Sequence, residues 1–219
     1  MKLSLLTLII ITCTYAQGLP TVLLVGDSLS TGYGLKEKSS WTVELRKQLN
    51  YYKRPYTLKN VSITGMTTRE GAASITTWLQ TYKPNITIIE LGGNDALQGL
   101  QPSTIYKQLE NIIVESKQYG CVALIHVPVP QHYPIDYQQI ISTNSIRLAK
   151  KHKITYISTF LTHAASKNLF QDDKIHPNDE AQIHLFNSVW IHLEPILKLC
   201  HTKTNNNLSS KKTVSINYH

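Results

Sequence analysis

The first candidate for chemistry is Ser28, which lies within Gly26–Ser30 and directly follows the apolar run Val22–Val25. A serine at the end of a buried strand occupies a sharp turn, which is where α/β hydrolytic enzymes hold a nucleophilic hydroxyl. Asp173 and His176 lie far downstream and supply the other two members of a nucleophile, base and orienter set. These residue types predict acyl transfer through a serine.

His176 is the candidate base, since a neutral imidazole can take the serine proton and later donate it to the leaving group. Asp173 precedes it by one turn, a spacing at which the two side chains can meet, and Pro177 stiffens the segment. The carboxylate would fix the imidazole tautomer and stabilise its cation. Asp172 is the alternative orienter, and an isolated Asp-x-x-His pair is also typical of a surface loop.

A developing oxyanion needs hydrogen-bond donors that are fixed in advance. The backbone N–H of Ser28 is one candidate donor. Gly65 offers a second N–H with no Cβ to obstruct it, and the Asn94 amide offers a third. Asn94 follows two glycines, a pattern that also makes an ordinary turn, so this motif alone leaves both interpretations open.

Apolar runs alternate with helical patterns along the chain. The runs predict five short buried strands at Val22–Val25, Leu58–Ile63, Ile86–Leu91, Val122–Val127 and Ile154–Ile157. Helices are expected after Ser40, after Thr67 or Thr68, from Pro102 to Gly120, from Tyr137 to Lys151, and from about Asn178 until Pro195 perturbs the last one. This alternation implies a parallel sheet covered by helices on both faces, with ligands bound at the carboxyl ends of the strands.

The N-terminus predicts secretion. Lys2, the apolar stretch Leu3–Thr12 and the small residue Ala16 form a secretory signal over residues 1–16. The apolar stretch is too short to span a bilayer comfortably. A membrane anchor and lipid attachment at Cys13 are the alternatives.

Length and charge predict one domain that does not bind nucleic acid. The chain has 219 residues, enough for one full-sized core, which we expect over residues 17–200. Residues 201–219 are polar and predict a flexible tail. The formal net charge of +8 falls by half once Lys2 and the lysines of the tail are set aside. So mild an excess is a weak argument for nucleic-acid binding.

Cysteine and histidine usage predicts no structural cross-link and no metal site. Cleavage of the signal leaves Cys121 and Cys200, too few for a disulfide framework. Cys121 opens an apolar run and is expected to be a buried, unreactive thiol. The spacing of metal ligands is absent among the histidines at His126, His132, His163 and His184.

Four blocks occur in one order, each at a strand end or before the last helix: Gly26–Ser30, Gly65, Gly92–Asp95 and Asp173–His176. The arrangement resembles the SGNH, or GDSL, hydrolase superfamily, whose Ser, Gly, Asn and His match Ser28, Gly65, Asn94 and His176. The likeness is closest to the bacterial multifunctional acyl-CoA thioesterase/lysophospholipase/arylesterase subfamily. It covers roughly residues 20–198.

The resemblance implies an α/β fold: a three-layer α/β/α, flavodoxin-like structure with five parallel strands in the order 2-1-3-4-5. It implies that Ser28 attacks an ester or thioester carbonyl while His176, oriented by Asp173, relays the proton. The N–H groups of Ser28 and Gly65 and the Asn94 amide would hold the oxyanion, with no metal ion or organic cofactor. The expected protein is a periplasmic monomer acting on small acyl substrates (lysophospholipid, acyl-CoA thioester, aryl or alkyl ester), with a lipid surface as a candidate partner.

The chain departs from this subfamily at Met66, where an Asp is usual, beside the proposed donor Gly65. A thioether adds flexible apolar contact and removes a charge, so the departure bears on acyl preference and pH profile. Val129 and Tyr133 after the fourth strand, together with Ile175, are further candidate substrate contacts. Ordinary loop packing explains Val129 and Tyr133 equally well.

Two rival functions stay open at this point. A carbohydrate acetylesterase or O-acyltransferase of the same superfamily would need a polar, open site and would act on acetyl-sugars. A non-catalytic binding protein on the same fold would not use Ser28 as a nucleophile, although the intact blocks disfavour this alternative.

Overall fold

The computed structural model describes residues 18–36, 38–130 and 132–210, with residues 201–210 described by their backbone alone. The predicted signal, residues 1–16, lies outside the described residues. Five strands form one parallel sheet: β1 Thr21–Gly26, β2 Thr57–Asn60, β3 Ile86–Glu90, β4 Cys121–Ile125 and β5 Thr155–Ile157. Their order is β2-β1-β3-β4-β5, which confirms the predicted class and topology.

The helices of the described residues flank this sheet. They are α1 Ser28–Thr31, α2 Trp41–Tyr51, α3 Thr68–Tyr82, α4 Gly93–Leu97, α5 Pro102–Lys117, α6 Ile135–His152, α7 Thr162–Lys167 and α8 Gln182–Ser210. The longer ones, α2, α3, α5, α6 and α8, are those that the hydrophobic periodicity predicts. The short helices α1, α4 and α7 were not predicted, because one or two turns carry too little periodicity to detect.

Side chains of the central strand alternate between two cores, one on each face of the sheet. Val22 and Leu24 of β1 pack in a core with α2 and α8, whereas Leu23 and Val25 pack in a second core with α3, α5 and α6. Because all four side chains are fully buried, β1 reads as a continuous apolar run rather than an alternating one. The two cores fix the carboxyl end of β1, and with it the position of Ser28.

Helix α8 differs from the expectation at its C-terminal half. It continues through Pro195 and on to Ser210, into the segment for which composition predicts a tail. A proline within a helix removes one backbone hydrogen bond. Leu193 and Leu197, on either side of it, are buried in the core, and this packing favours continuation of the helix.

The expectation for the cysteines was wrong. Cys121 at the start of β4 and Cys200 in α8 form a disulfide, with their Cα atoms 6.2 Å apart. This separation lies within the usual range for a disulfide. Two cysteines distant in sequence cannot be paired without knowing that α8 crosses the amino end of β4. The bond ties the last helix to the sheet.

Among the described helices, none combines the length and the apolar character that crossing a membrane requires.

Candidate active site

The turn between β1 and α1 places Ser28 at the carboxyl edge of the sheet. Asp27 follows the strand and caps the short helix, its Oδ1 accepting the Leu29 N–H at 3.0 Å. Ser28 is the first residue of α1 and is only 8% exposed. Gly26 is required here because a Cβ at this position would lie 2.7 Å from both Glu90 Oε2 and Ser30 Oγ.

A hydrogen-bonded loop before α8 carries the candidate base and orienter. Its ends are joined by a bridge between Phe170 and Pro177, and the Gln171 N–H donates to the His176 carbonyl at 2.7 Å. Lys174 adopts the left-handed conformation, with φ at 59°. That turn brings the N–H groups of Ile175 and His176 to Asp173 Oδ1, each at 2.9 Å.

Ser28, His176 and Asp173 are joined in series by two hydrogen bonds. Ser28 Oγ and His176 Nε2 are 2.8 Å apart, and His176 Nδ1 and Asp173 Oδ2 are 2.7 Å apart. This geometry lets the imidazole accept the serine proton while the carboxylate fixes its tautomer. The structure thus brings together the three residues that the sequence predicts as a triad, and the prediction of Asp173 rather than Asp172 matches these contacts.

The charge of Asp173 is held by its neighbours. Partial burial by itself raises the pKa of the carboxyl. The N–H and ring of His176 and the N–H of Ile175 outweigh this effect, so the pKa lies below its ordinary value. Asp173 therefore remains an anion across the physiological range. Its side chain is 37% exposed, and contact with water also favours the charged form.

The three predicted oxyanion donors are contributed by three different loops. The N–H groups of Ser28 and Gly65 have no acceptor among the described residues. Gly65 has φ at 81°, and no atom lies within 4 Å of the place that a Cβ would take. Asn94 Nδ2 donates to Asp27 Oδ2 at 2.9 Å and to the Met66 carbonyl at 3.1 Å. Both hydrogens of this amide are therefore engaged, and one would have to be released to bind an oxyanion.

Asp27 is a functional candidate whose role the sequence only half predicts. An aspartate in such a turn typically holds the loop through a backbone N–H, and the contact to Leu29 is of this kind. The second contact, to the Asn94 amide, was not expected because the two residues are distant in sequence. Burial raises the pKa of Asp27 to about 6, although the Leu29 N–H, His176 and Asn94 oppose the rise.

Two of the predicted substrate contacts are not on the surface. Met66 is only 3% exposed and packs in the core beneath α3, and Val129 is buried in the same core. Apolar side chains at strand ends gain more free energy in the core than at a wet rim. Tyr133 is half-buried and donates to the Leu97 carbonyl at 2.9 Å, while Ile175 is 41% exposed beside the triad.

The pocket that contains both Ser28 and His176 does not include Met66. Its other walls come from the loop after α1 and from the start of the last helix: Leu29, Gly32, Tyr33, Leu35, Pro177 and Gln182. A second cavity lies under α5 and α6 and includes Gly92 and His126. It contains no member of the triad, whereas the first pocket contains Ser28 and His176 but neither Gly65 nor Asn94.

The loop of the candidate base is braced against the loop that follows α1. The Tyr33 ring lies 4.7 Å from the His176 ring, and Gln171 Nε2 donates to the Tyr33 carbonyl at 2.9 Å. Asp179 Oδ1 accepts the Lys36 N–H and the Ser39 hydroxyl, at 3.2 and 2.5 Å. These contacts join the nucleophile and base sides of the site, and no sequence signal identifies them.

No group of three or more His, Cys, Asp or Glu side chains within the described residues has an arrangement that could hold a metal ion.

A hydroxyl, an imidazole and a carboxylate bonded in series at the carboxyl edge of a parallel sheet define a serine-hydrolase site. Residues 24–182 match the model of the GDSL-like Lipase/Acylhydrolase family. The chain belongs to this family and is a hydrolase of ester bonds.

Two curated relatives match most of the chain. The chain is 32% identical over 192 residues to Esterase TesA of Pseudomonas aeruginosa, covering 87% of this chain and 96% of that protein. It is 30% identical over 184 residues to Thioesterase 1/protease 1/lysophospholipase L1 of Escherichia coli K12, covering 83% of this chain and 87% of that protein. The fold is also similar to a crystal structure of TesA, with a TM-score of 0.77, 32% identity and coverage of 80% and 99%.

Proposed function

We propose that the protein hydrolyses acyl esters and thioesters through a covalent intermediate on Ser28. The observation that carries this proposal is the hydrogen-bonded series from Ser28 Oγ through His176 to Asp173. As Ser28 Oγ attacks the carbonyl carbon, its proton passes to His176 Nε2 and the carbonyl oxygen becomes an oxyanion. The imidazolium then protonates the leaving alcohol or thiol, and the acyl group stays on Ser28.

Water completes the cycle by the same route in reverse. His176 Nε2 takes a proton from water, which attacks the acyl carbon, and the proton returns to Ser28 Oγ as the carboxylic acid leaves. The free N–H groups of Ser28 and Gly65, with the Asn94 amide, would hold the oxyanion in both steps. All of these groups come from one chain, which is consistent with action as a monomer.

We further propose that the natural substrates carry medium or long acyl chains, as lysophospholipids do. Three exposed apolar side chains, Tyr33, Ile63 and Ile175, belong to the loops that surround Ser28. Apolar side chains around a reacting centre favour an acyl chain or a lipid surface over an acetylated sugar. The name of the Escherichia coli relative, which includes thioesterase and lysophospholipase, supports the same substrate class.

The proposed location is the periplasm. The apolar N-terminal pattern and the Cys121–Cys200 disulfide support secretion into an oxidising compartment. In that compartment lysophospholipids are more accessible than acyl-CoA.

The test is a series of p-nitrophenyl esters of increasing chain length, together with lysophosphatidylcholine and a long-chain acyl thioester, assayed with the wild type and with Ser28→Ala. We expect kcat/KM to rise from the acetyl ester to the medium-chain esters and hydrolysis to disappear in Ser28→Ala. The matched control is Ser166→Ala, which removes an exposed hydroxyl of α7 whose partner among the described residues is the His163 carbonyl. Activity on the acetyl ester alone would favour the acetylesterase, and near-native turnover by Ser28→Ala would contradict the proposal.

A further inference from the structure

A second carboxyl group lies beneath the nucleophile turn and is not used by the mechanism above. Glu90 is the last residue of β3, pairs in register with Gly26, and is fully buried. Its Oε2 accepts the Asp27 N–H at 3.2 Å and the Ser30 hydroxyl at 2.7 Å. Its Oε1 is buried and has no hydrogen-bond donor among the described residues.

Glu90 and Asp27 are neighbouring buried acids, because Glu90 Oε2 accepts the Asp27 N–H. Two carboxylates have no donor between them, so a hydrogen bond from one carboxyl to the other requires a proton on one of the two acids. A second buried negative charge would also be unfavourable without a paired cation. The pair therefore carries one proton and one charge.

The surroundings decide which acid keeps the proton. Asp27 Oδ1 and Oδ2 each accept a hydrogen bond, from the Leu29 N–H and the Asn94 amide, so both oxygens of an anion would be partnered. Both bonds to Glu90 from the described residues fall on Oε2 and leave its buried Oε1 without a donor, which disfavours an anion there. The other charged groups that act on Asp27 are His176, whose cation favours the anionic form, and Asp95, which opposes it. Burial first, and the charge of Asp27 next, raise the pKa of Glu90 well above its ordinary value. The proton belongs on Glu90.

We propose that Glu90 is a positioning residue of the acyl-transfer site: as a neutral acid it donates a hydrogen bond to the Asp27 carboxylate, which keeps that carboxylate ionised and directed at the Asn94 amide. Glu90 touches neither substrate nor reacting atoms. It acts through Asp27, which in turn orients the proposed oxyanion donor Asn94 and faces the imidazolium that forms on His176. This inference rests on the proposed function of Asn94.

The activity test compares Glu90→Gln with Glu90→Ala. A glutamine carries both a donor and an acceptor, so Glu90→Gln can keep every contact, and we expect kcat within about threefold of the wild type. Glu90→Ala removes the donor, and we expect kcat to fall ~10- to 100-fold with little change in KM, because the oxyanion donor is misplaced. Glu44→Gln, on the surface of α2, controls for the loss of one carboxyl group.

The pH profile adds a readout that loss of packing alone would not move. Wild-type activity should fall as the pH is lowered through about 6, where Asp27 takes up a proton and stops holding Asn94. Without the bond from Glu90 the anion of Asp27 is less stable, so the fall should occur at higher pH in Glu90→Ala, by roughly one unit. The pH at which activity falls should be the same in Glu90→Gln as in the wild type.

A spectroscopic test does not depend on activity. In protein labelled with 13C at the glutamate carboxyls, the signal that Glu90→Gln abolishes should have the shift of a protonated acid at neutral pH. The shift of an ionised carboxylate would overturn the inference, as would a loss in Glu90→Gln as large as in Glu90→Ala. If the wild type hydrolysed no ester, the proposed function would fail while the carboxyl signal still decided the state of Glu90.

Discussion

The two sides of the active site are built in opposite ways. The nucleophile side consists of buried groups at the ends of central strands, where Ser28, Asp27 and Glu90 are almost or completely inaccessible. The base side is an exposed loop in which Asp173 accepts two N–H groups from its own turn. One side is positioned by the two cores of the fold and the other by local hydrogen bonds.

Because of this difference, the carboxyl groups of Asp27 on the nucleophile side and Asp173 on the base side have different tasks. Asp27 is buried and its pKa is raised, so its charge depends on neighbouring donors. Hydrogen bonds lower the pKa of Asp173, so this carboxyl group stays ionised. The contrast resembles other pairs of catalytic carboxyls whose environments separate their pKa values and hence their roles.

The largest effect should come from the base side, by replacing Asp173 with Asn. An amide preserves the shape of the side chain but cannot stabilise an imidazolium, so kcat should fall roughly 1,000- to 10,000-fold. The matched control is Asp172→Asn, which removes the adjacent carboxylate and should leave kcat within a few-fold of the wild type. Steady-state kinetics on p-nitrophenyl butyrate measures both variants. Equal losses in the two variants would mean that the orienter is wrongly assigned.

The next effect concerns the nucleophile side and its proposed oxyanion donor, Asn94. Asn94→Ala should lower kcat about 100- to 1,000-fold while KM changes little, since the donor acts on charge that develops in the transition state. Asn111→Ala removes an exposed amide from α5 and serves as the control. A rise in KM at constant kcat would instead assign Asn94 to substrate binding.

A smaller effect on stability should follow from breaking the link between the sheet and α8. Cys200→Ser opens a disulfide that joins residues 79 positions apart, and the free energy of unfolding should fall by roughly 2–4 kcal/mol. Activity should persist, because neither sulfur lies at the edge of the sheet that carries Ser28. Urea unfolding measures the loss, and the reduced wild type should behave like the variant. Identical midpoints for the oxidised and reduced wild type would contradict the bond.

The smallest effect should come from the turn of the base loop. Lys174 has φ at 59°, a conformation that is costly for residues with a Cβ. Lys174→Gly should therefore raise the free energy of unfolding by up to about 1 kcal/mol, measured in urea. Lys174→Ala also removes the amine but keeps the Cβ, so it should give no such gain. A gain with both variants would point to charge rather than to backbone conformation.

The sequence predicts most of the fold and the identity of the triad. Apolar runs such as Val22–Val25 are readable because burial on both faces of a sheet leaves no polar positions in them. Ser28, Asp173 and His176 are readable because their chemistry limits the residue types that can serve. The strand order followed from resemblance rather than from any local pattern.

What the sequence does not predict depends on contacts between distant segments. The Cys121–Cys200 bond and the bond from Asn94 to Asp27 exist only because strands from different parts of the chain end side by side. The position of Met66 next to Gly65 suggests a substrate contact, but its side chain packs in the core. The only sign in the sequence of the contact between Glu90 and Asp27 is a lone acid at the end of the apolar run of β3.

The most direct test of the central claim is to locate the covalent intermediate. The folded mature protein is treated with a fluorophosphonate ester, digested and mapped by mass spectrometry, in parallel with Ser28→Ala and His176→Ala. The account predicts one phosphonylated residue, Ser28, formed rapidly in the wild type, much more slowly in His176→Ala, and not at all in Ser28→Ala. A label on another residue, or an unlabelled Ser28 in protein that still hydrolyses esters, would contradict it.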